Sequence, residues 1–154
     1  MTSRGTCCQC IRCREIRGRE IDPQSLELKH EIYSAGGAEE HFVSFVTPDD
    51  HLAGYVRLSL PGAQSPRTGL VDLAQAALVR ELHVYGQSLA VGSTTEGAAQ
   101  HAGLGVTLMA YAERVAQEQG YSRLAVIAAL GTRPYYERLG YTLGETYMVK
   151  ALQV

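Results

Sequence analysis

The first residues with an evident chemical potential are four cysteines close to the N-terminus, Cys7, Cys8, Cys10 and Cys13. Because they are so close in sequence, they cannot join distant segments as a disulfide framework does. The spacing Cys8-x-Cys10-x-x-Cys13 instead places three thiolates on one tight turn, as zinc or an iron–sulfur cluster requires. We therefore expect a metal site here, and the alternative is a reduced, flexible cluster without metal.

A second motif, Gln100-x-x-Gly103-x-Gly105, is predicted to form a turn that leads into a helix. Glycines in such a turn let backbone N–H groups approach a diphosphate, and the helix dipole adds a favourable potential. The motif lacks the third glycine of the dinucleotide fingerprint, so it is weak support for phosphate binding when taken alone.

Apolar periodicity predicts the elements that would position these motifs. Strands are expected over residues 26–32, 42–46, 52–60, 77–85 and 124–130, with closing strands over 141–152, and residues 87–99 are expected to form a loop. A helix follows the glycines, with Val106, Met109, Ala112 (or Tyr111), Val115 and Ala116 on its buried face. A shorter helix begins after Thr132 and ends at Gly140. This order indicates an α/β (α+β layered) domain.

Length and composition set the limits of the interpretation. The chain has 154 residues, of which 45% are hydrophobic, so one domain with a real core is expected. The sequence has neither an apolar run of about 18 residues nor an apolar signal-peptide core, which favours a cytoplasmic protein with no membrane span. The formal charge of -2 gives no global basic excess for nucleic-acid binding.

Taken together, the motifs resemble the GCN5-related N-acetyltransferase (GNAT) superfamily. Its [Arg/Gln]-x-x-Gly-x-[Gly/Ala] turn matches residues 100–105, and its Tyr-x-x-x-Gly-[Tyr/Phe] segment matches residues 136–141. The sequence is more specifically similar to the C-terminal acetyltransferase domain of the Elongator catalytic subunit family. The residues that carry this similarity are Arg80-Glu81-Leu82-His83-Val84-Tyr85-Gly86, Tyr147-Met148-Val149-Lys150, Cys8-x-Cys10-Ile11-Arg12-Cys13 and Ser34-Ala35-Gly36-Gly37.

The resemblance implies a GNAT-type mixed sheet flanked by helices, preceded by a cysteine-rich zinc segment. We place the zinc-binding segment at residues 1–20 and the acetyltransferase domain at residues 21–154. Full-length members of the family carry a radical S-adenosylmethionine domain before the cysteines, and these 154 residues do not contain one. The full reaction is therefore not expected from this chain alone.

Acetyl-CoA is the cofactor that the resemblance implies. Its pyrophosphate is expected at Gln100, His101, Ala102, Gly103, Leu104 and Gly105. Its pantetheine arm is expected beside Leu82, His83 and Val84, if the fourth strand separates from the fifth, and its thiol beside Tyr136.

The resemblance also assigns zinc to the cysteine segment, with Cys8, Cys10 and Cys13 as ligands. A closed tetrahedral zinc site needs a fourth ligand. His83 is the choice because it lies in a family-matching strand, with His101 as the competitor. The alternative for His83 is a core histidine with satisfied hydrogen bonds.

Catalysis by thioester cleavage needs a proton for the leaving thiolate. A tyrosine held within about 3 Å of the sulfur can donate one. Tyr136 is the first choice and Tyr135 the second, and the alternative is that both are packing aromatics. Glu81 is a possible general base, and its alternative is an ion pair with Arg80 or another basic residue.

The function that the resemblance implies is tRNA-stimulated acetyl-CoA cleavage and acetyl transfer in wobble-uridine (cm5U-type) tRNA modification. Candidate phosphate contacts are Arg12, Arg14, Arg17 and Arg19, although a solvated charged arm is the commoner role of such a run. A protein lysine acetyltransferase and a non-catalytic, zinc-stabilised cofactor- or RNA-binding module are the competing interpretations.

Overall fold

The computed structural model describes residues 7–86 and 96–153, with the side chains of residues 96–102 excepted. A seven-stranded mixed sheet runs through this part of the chain, with the strand order β1-β2-β3-β4-β5-β7-β6. The strands are β1 (Glu27–Ala35), β2 (Ala38–Val46), β3 (Leu52–Pro61), β4 (Ala76–Val84), β5 (Arg123–Val126), β6 (Thr142–Leu143) and β7 (Met148–Ala151). The helices are α1 (Ile11–Arg14), α2 (Glu96–Glu118) and α3 (Arg133–Arg138). The expected mixed α/β fold is confirmed. Within the described ranges, no helix is long and apolar enough to cross a membrane.

The first four strands form an antiparallel meander joined partly by tight turns. Gly36 and Gly37 connect β1 to β2 with φ angles of 59° and 80°, a left-handed region that glycine adopts without strain. A side chain at Gly37 would also lie 2.7 Å from the backbone of Gln64. The glycine pair is therefore required both by the turn and by the loop that packs on it.

Helix α2 covers one face of the sheet and forms the core with it. The sheet contributes Val43, Val56, Leu58, Ala77 and Val79, and the helix contributes Leu108, Met109, Ala112, Val115 and Ala116. Val106 was predicted on the buried face, but it is 43% exposed, whereas Leu108 is fully buried. The reason is helical geometry, because residues 108, 112 and 115 share a stripe from which residue 106 is turned away.

Helix α2 begins earlier than the sequence predicts. Of the expected loop, residues 87–95 lie outside the described residues and residues 96–99 are helical. The prediction of a turn at residues 100–105 is also wrong, because these residues lie inside the helix. Within the helix, the N–H groups without an intrahelical acceptor are consequently those of residues 96–98 and not those of residues 100–105. Each helical glycine costs about 1 kcal/mol relative to alanine, a cost that the helix tolerates here.

Strand β5 ends at Val126, four residues before the predicted end of the apolar run. Beyond it Ile127 is 59% exposed and Leu130 is 76% exposed. The chain then enters a short 3-10 turn, Leu130–Thr132, and helix α3. The apolar run predicted a longer strand because burial of these two side chains depends on neighbours that a sequence does not show.

The cysteine-containing segment is attached to the meander. Ile16 is 1% exposed, and its N–H group donates to the carbonyl oxygen of Leu52 at 3.3 Å. Arg14 forms an ion pair with Asp50 at 2.8 Å. These contacts place the segment beside the turn between β2 and β3, and the boundary between residues 20 and 21 stays a prediction.

Candidate active site

Strands β4 and β5 separate at the candidate site. Their parallel ladder runs from the pair Ala76 and Arg123 to the pair Val79 and Val126. Strand β4 continues along β3 as far as Val84. Residues 80–84 therefore extend past the end of β5, and the sheet opens on that side. The pairing of β4 with β5 thus ends in the segment where the resemblance implies that the two strands separate.

A β-bulge marks the same point of β4. Arg57 of β3 pairs with Glu81, whereas the next residue, Leu58, pairs with Val79, so Arg80 is the extra residue. A bulge increases the local twist and redirects the side chains that follow it. The bulge therefore contributes to turning the end of β4 away from β5.

The side chains beyond the bulge divide between two faces of the sheet. Leu82 packs against the core cluster, and Val84 lies close to Gly105 of helix α2. Because strand side chains alternate, Glu81 and His83 point to the opposite face. Of the residues predicted beside pantetheine, Leu82 and Val84 thus lie on the α2 side and His83 does not.

Gly105 is the point where α2, α3 and the end of β4 meet. A Cβ atom at Gly105 would lie 2.7 Å from the hydroxyl oxygen of Tyr135 and 3.5 Å from a methyl carbon of Val84. The Tyr135 hydroxyl is buried and has no hydrogen-bond partner within the described structure. A buried donor of this kind is costly unless a ligand satisfies it. The unpaired hydroxyl fits a bound acetyl-CoA, whereas the absence of a side chain at Gly105 allows Tyr135 to pack against α2.

The other predicted pyrophosphate residues are described less completely. Gly103 is exposed, and a Cβ atom there would have no neighbour within 4 Å. Leu104 is half-buried. The side chains of Gln100, His101 and Ala102 lie outside the described residues, so their predicted roles stay predictions.

The two candidate catalytic tyrosines have different surroundings. Tyr136 is 7% exposed, and its ring packs edge-on against Tyr135 at 5.2 Å and Tyr141 at 5.9 Å between ring centroids. Burial, assisted by Tyr135, raises the pKa of Tyr136 to about 12. Burial also raises the pKa of Tyr135. Both phenols therefore keep their protons at neutral pH and can serve as hydrogen-bond donors.

Glu113 is a residue that the sequence analysis missed. Its Oε1 atom accepts hydrogen bonds from the Tyr141 hydroxyl at 2.8 Å and from Lys150 Nζ at 3.0 Å, and its Oε2 atom accepts from Lys150 at 2.9 Å. The sequence could have indicated Glu113 because it lies one helical turn from the buried Met109. A carboxylate on the apolar face of a helix is usually paired with a hydrogen-bond donor or a positive charge.

Glu81, the candidate general base, is held by neighbours on its own face of the sheet. Arg57 contacts Oε2 at 3.1 Å, the Tyr55 hydroxyl donates to Oε1 at 3.3 Å, and His83 Nε2 lies 3.6 Å from Oε1. The structure thus gives Glu81 a basic partner, Arg57, while Arg80 contacts Glu40 at 3.5 Å. It does not bring Glu81 and the tyrosine pair to one face, and the base role stays a prediction.

The three cysteines of the predicted metal site lie together. The sulfur atoms of Cys8, Cys10 and Cys13 are all within 4.8 Å of one another. The backbone N–H group of Cys13 contributes most to lowering the pKa of Cys10, while the hydrogen bond with Cys10 raises the pKa of Cys13 to about 11. Three thiols so placed fit a thiophilic metal. His83, the predicted fourth ligand, is not in this group and lies beside Glu81.

The four arginines of the N-terminal arm differ in availability. Arg14 is 15% exposed and pairs with Asp50. Arg17 and Arg19 are more than half exposed and form only long ion pairs, 3.8 Å to Glu15 and 3.5 Å to Asp49. Arg14 therefore stabilises the attachment of the arm to the sheet, whereas Arg17 and Arg19 lie at the surface.

A groove of about 1120 Å³ lies away from these residues. Its lining includes Glu40, Ser59, Arg67 and Arg80, and none of the predicted catalytic, cofactor or metal residues. The groove therefore does not bear on the acetyl-CoA prediction.

The mixed sheet, its opening between two parallel strands and the helix beside the opening form the arrangement that the resemblance to the GNAT superfamily implies. The chain belongs to the acetyltransferase (GNAT) family, which matches residues 12–141. It is 42% identical to the tRNA uridine(34) acetyltransferase of Dehalococcoides mccartyi, over 99% of this chain and 34% of the relative. It is 43% identical to Elongator complex protein 3 of Danio rerio, over 99% of this chain and 28% of the relative.

A solved structure of a relative has the same fold. The archaeal Methanocaldococcus infernus Elp3 with an N-terminal deletion superimposes with a TM-score of 0.77 at 35% identity, covering 96% of this chain and 36% of that one. The chain thus spans about a third of the length of such relatives.

Proposed function

We propose that this chain is an Elongator-type acetyltransferase domain that cleaves acetyl-CoA during modification of the tRNA wobble uridine. The single observation that carries the proposal is the opening between β4 and β5, with Gly105 and the unpaired Tyr135 hydroxyl beside it. The names of the relatives support tRNA uridine as the substrate. Because the chain spans about a third of those relatives, we assign it the acetyl-CoA step alone. The resemblance implies a radical S-adenosylmethionine domain for the chemistry at the uridine.

The opening suits the pantetheine arm because residues 80–84 of β4 run past the end of β5. Extended backbone that leaves a ladder offers N–H and C=O groups to an amide-containing ligand. The pyrophosphate would lie along the N-terminal part of α2, where Gly103 leaves open space. Both proposed contacts use the α2 side of the sheet, on which Leu82 and Val84 lie.

When bound, acetyl-CoA supplies an activated thioester. We assign Tyr136 as the donor to the leaving sulfur and the Tyr135 hydroxyl as a contact that holds the cofactor. A phenol with a pKa of about 12 is a weak acid. Its main effect is therefore a hydrogen bond that stabilises negative charge developing on sulfur, with proton transfer following.

The cysteine group would hold a structural zinc ion through Cys8, Cys10 and Cys13. The observation that supports this role is the convergence of three thiols within 4.8 Å. Zinc would tie the N-terminal segment into a fixed loop and supply no step of the reaction. His83 remains the proposed fourth ligand, and binding of zinc would replace its 3.6 Å contact with Glu81.

Binding of tRNA would use the exposed arginines of the arm, with Arg12 joining Arg17 and Arg19. Exposed guanidinium groups contact phosphates without reading sequence. We place this activity in the cytoplasm, and the thiols of Cys7, Cys8, Cys10 and Cys13, which are free, suit a reducing compartment.

The deciding experiment measures release of free CoA from acetyl-CoA, with and without tRNA. Release that requires tRNA is the expected result, and the affinity for tRNA should fall as salt rises. Release without tRNA would contradict the proposed requirement for tRNA but would still support cleavage of acetyl-CoA by this domain. Binding of acetyl-CoA with no release under either condition would contradict catalysis and favour a cofactor-binding module.

A further inference from the structure

The position of helix α3 depends on its neighbours. It has six residues, Arg133–Arg138, and carries both Tyr135 and Tyr136. A helix of this length is not stable alone. At its C-terminal end, Gly140 has a φ angle of 90°, and the N–H group of Tyr141 donates to the carbonyl oxygen of Tyr136 at 3.1 Å. The N–H group of Tyr141 is therefore one of the contacts that close the C-terminal end of α3.

Tyr141 is in turn held by helix α2. It is 1% exposed, and its hydroxyl donates to Glu113 at 2.8 Å. Lys150 of β7 approaches both oxygens of Glu113 and lies 5.4 Å from the centre of the Tyr141 ring. The junction of these three residues joins α2, the segment after α3 and the last strand.

The ion pair in this junction is weak evidence for a stabilising role. It is largely removed from water, because the Lys150 and Glu113 side chains are 29% and 19% exposed. A shielded ion pair often adds no more stability than apolar residues of similar volume, whereas its hydrogen bonds fix orientation. What the junction orients is the Tyr141 ring, which packs edge-on against Tyr136, and Tyr136 packs in the same way against Tyr135.

We propose that Glu113 is a positioning residue for the tyrosine pair. By holding the Tyr141 hydroxyl, it holds the end of α3 and the ring against which Tyr136 packs. The inference rests on the proposed function, because the orientation of Tyr136 matters only if Tyr136 donates to the leaving sulfur in thioester cleavage. Glu113 itself lies behind Tyr141 and is not assigned a contact with the cofactor.

The first arm of the test is kinetic and uses Glu113→Leu, which removes the acceptor of the Tyr141 hydroxyl. The matched control is Glu118→Leu on the same helix, where the carboxylate is 65% exposed and lies 3.9 Å from Arg114. We expect Glu113→Leu to lower kcat for CoA release roughly tenfold while KM for acetyl-CoA changes less than about twofold, because misplacement of a reacting group acts on the chemical step. The control should retain both values.

Rescue separates positioning from simple destabilisation. Glu113→Leu leaves Lys150 partly buried without its charge partner, whereas Glu113→Leu with Lys150→Met removes both charges. The double variant should regain most of the lost thermal stability and still show the low kcat, since the Tyr141 hydroxyl has no acceptor in either variant. Recovery of kcat together with stability would overturn the proposal, as would a normal kcat in a folded Glu113→Leu variant.

The second arm does not depend on activity. In protein carrying ¹³C-labelled tyrosine, the ring resonances of Tyr135 and Tyr136 should shift in the double variant and not in Glu118→Leu. Unchanged ring resonances would overturn the positioning role even if the wild-type chain releases CoA. Shifted resonances in a chain that releases no CoA would support the positioning and contradict the proposed function.

Discussion

A methyl group on Gly105 would lie 2.7 Å from the hydroxyl oxygen of Tyr135. Helix α2 can therefore approach α3 this closely only because residue 105 has no side chain. Gly103, two residues earlier, faces open space instead. The two glycines of one motif thus have separate roles, since Gly105 permits close packing and Gly103 leaves a surface that a ligand can approach.

Substitution of Gly105 by alanine should destabilise the protein. The added methyl group must displace the Tyr135 ring, and overpacking of this kind costs about 1–3 kcal/mol, partly offset by the better helix propensity of alanine. We expect a lower melting temperature in thermal unfolding. Gly103→Ala is the matched control, because nothing lies within 4 Å of its Cβ position, and it should be neutral or stabilising. Equal destabilisation by the two variants would contradict the close approach.

The two tyrosines should separate in their effects on acetyl-CoA. Tyr136→Phe keeps the ring in the core and removes the proposed donor, so kcat for CoA release should fall about 10²-fold with little change in binding. Tyr135→Phe should instead weaken binding, measured by calorimetry, because the unpaired hydroxyl loses its ligand partner. Unchanged turnover in Tyr136→Phe would remove Tyr136 from the mechanism.

A chain of hydrogen bonds links helix α2 to the edge of the sheet. Tyr111 Oη lies 3.0 Å from His30 Nδ1, His30 Nε2 lies 2.7 Å from His41 Nδ1, and His41 Nε2 lies 2.9 Å from a carboxylate oxygen of Glu39. All three contacts are satisfied when both imidazoles are neutral, with Tyr111 donating to His30, His30 to His41 and His41 to Glu39.

These hydrogen bonds should make the free energy of unfolding depend on pH. Burial, followed by the charge of His41, lowers the pKa of His30 below its ordinary value of 6.5, and Glu39 opposes the shift. As the pH falls, the unfolded chain therefore binds a proton at His30 before the folded protein does. The contribution of this site to the free energy of unfolding is fully present above about pH 6.5 and is lost as the pH falls toward the lower pKa of the folded protein. Thermal unfolding between about pH 8 and 5 should show the decline, and His30→Gln should flatten it. An NMR titration that gave His30 a pKa above 6.5 would refute this account.

Zinc binding should depend on three of the four cysteines. The purified chain should bind one zinc ion, and Cys10→Ser should lose it, because the Cys10 sulfur lies in the group formed with Cys8 and Cys13. Cys7→Ser is the matched control, since Cys7 is adjacent in sequence but not part of that group. Metal analysis together with thiol titration measures both. Retention of zinc by Cys10→Ser, or its loss from Cys7→Ser, would contradict the ligand assignment.

Local patterns were sufficient for most of the sheet. Alternating residues such as Leu28, His30 and Ile32 predicted β1, and the Gly36-Gly37 pair predicted the turn after it. The predictions of secondary structure were wrong where two patterns in the sequence favour different structures. Glycines at positions 103 and 105 indicated a turn, but the helix continues through both residues. An apolar run indicated strand up to Leu130, but pairing ends at Val126.

The candidate site was only partly accessible to the same reasoning. The cysteine spacing and the tyrosine pair are visible in the sequence because each is local. Glu113 is 28 residues from Tyr141 and 37 residues from Lys150 in the sequence, and no local pattern joins it to either residue. Likewise, the sequence does not show that Glu81 pairs with Arg57, because a β-bulge sets that register.

The sequence by itself determined a layered α/β domain, most of its strands and the residue types that its chemistry needs, because these depend on periodicity and on short motifs, and the acetyltransferase fold followed from the family resemblance of those motifs. The tertiary structure alone decided which residues meet. It set Tyr135 against Gly105, Tyr141 against Glu113, and Glu81 and His83 on the face away from α2. Those relationships arise from strand register, helix packing and burial, which are properties of the folded chain and not of any segment of it.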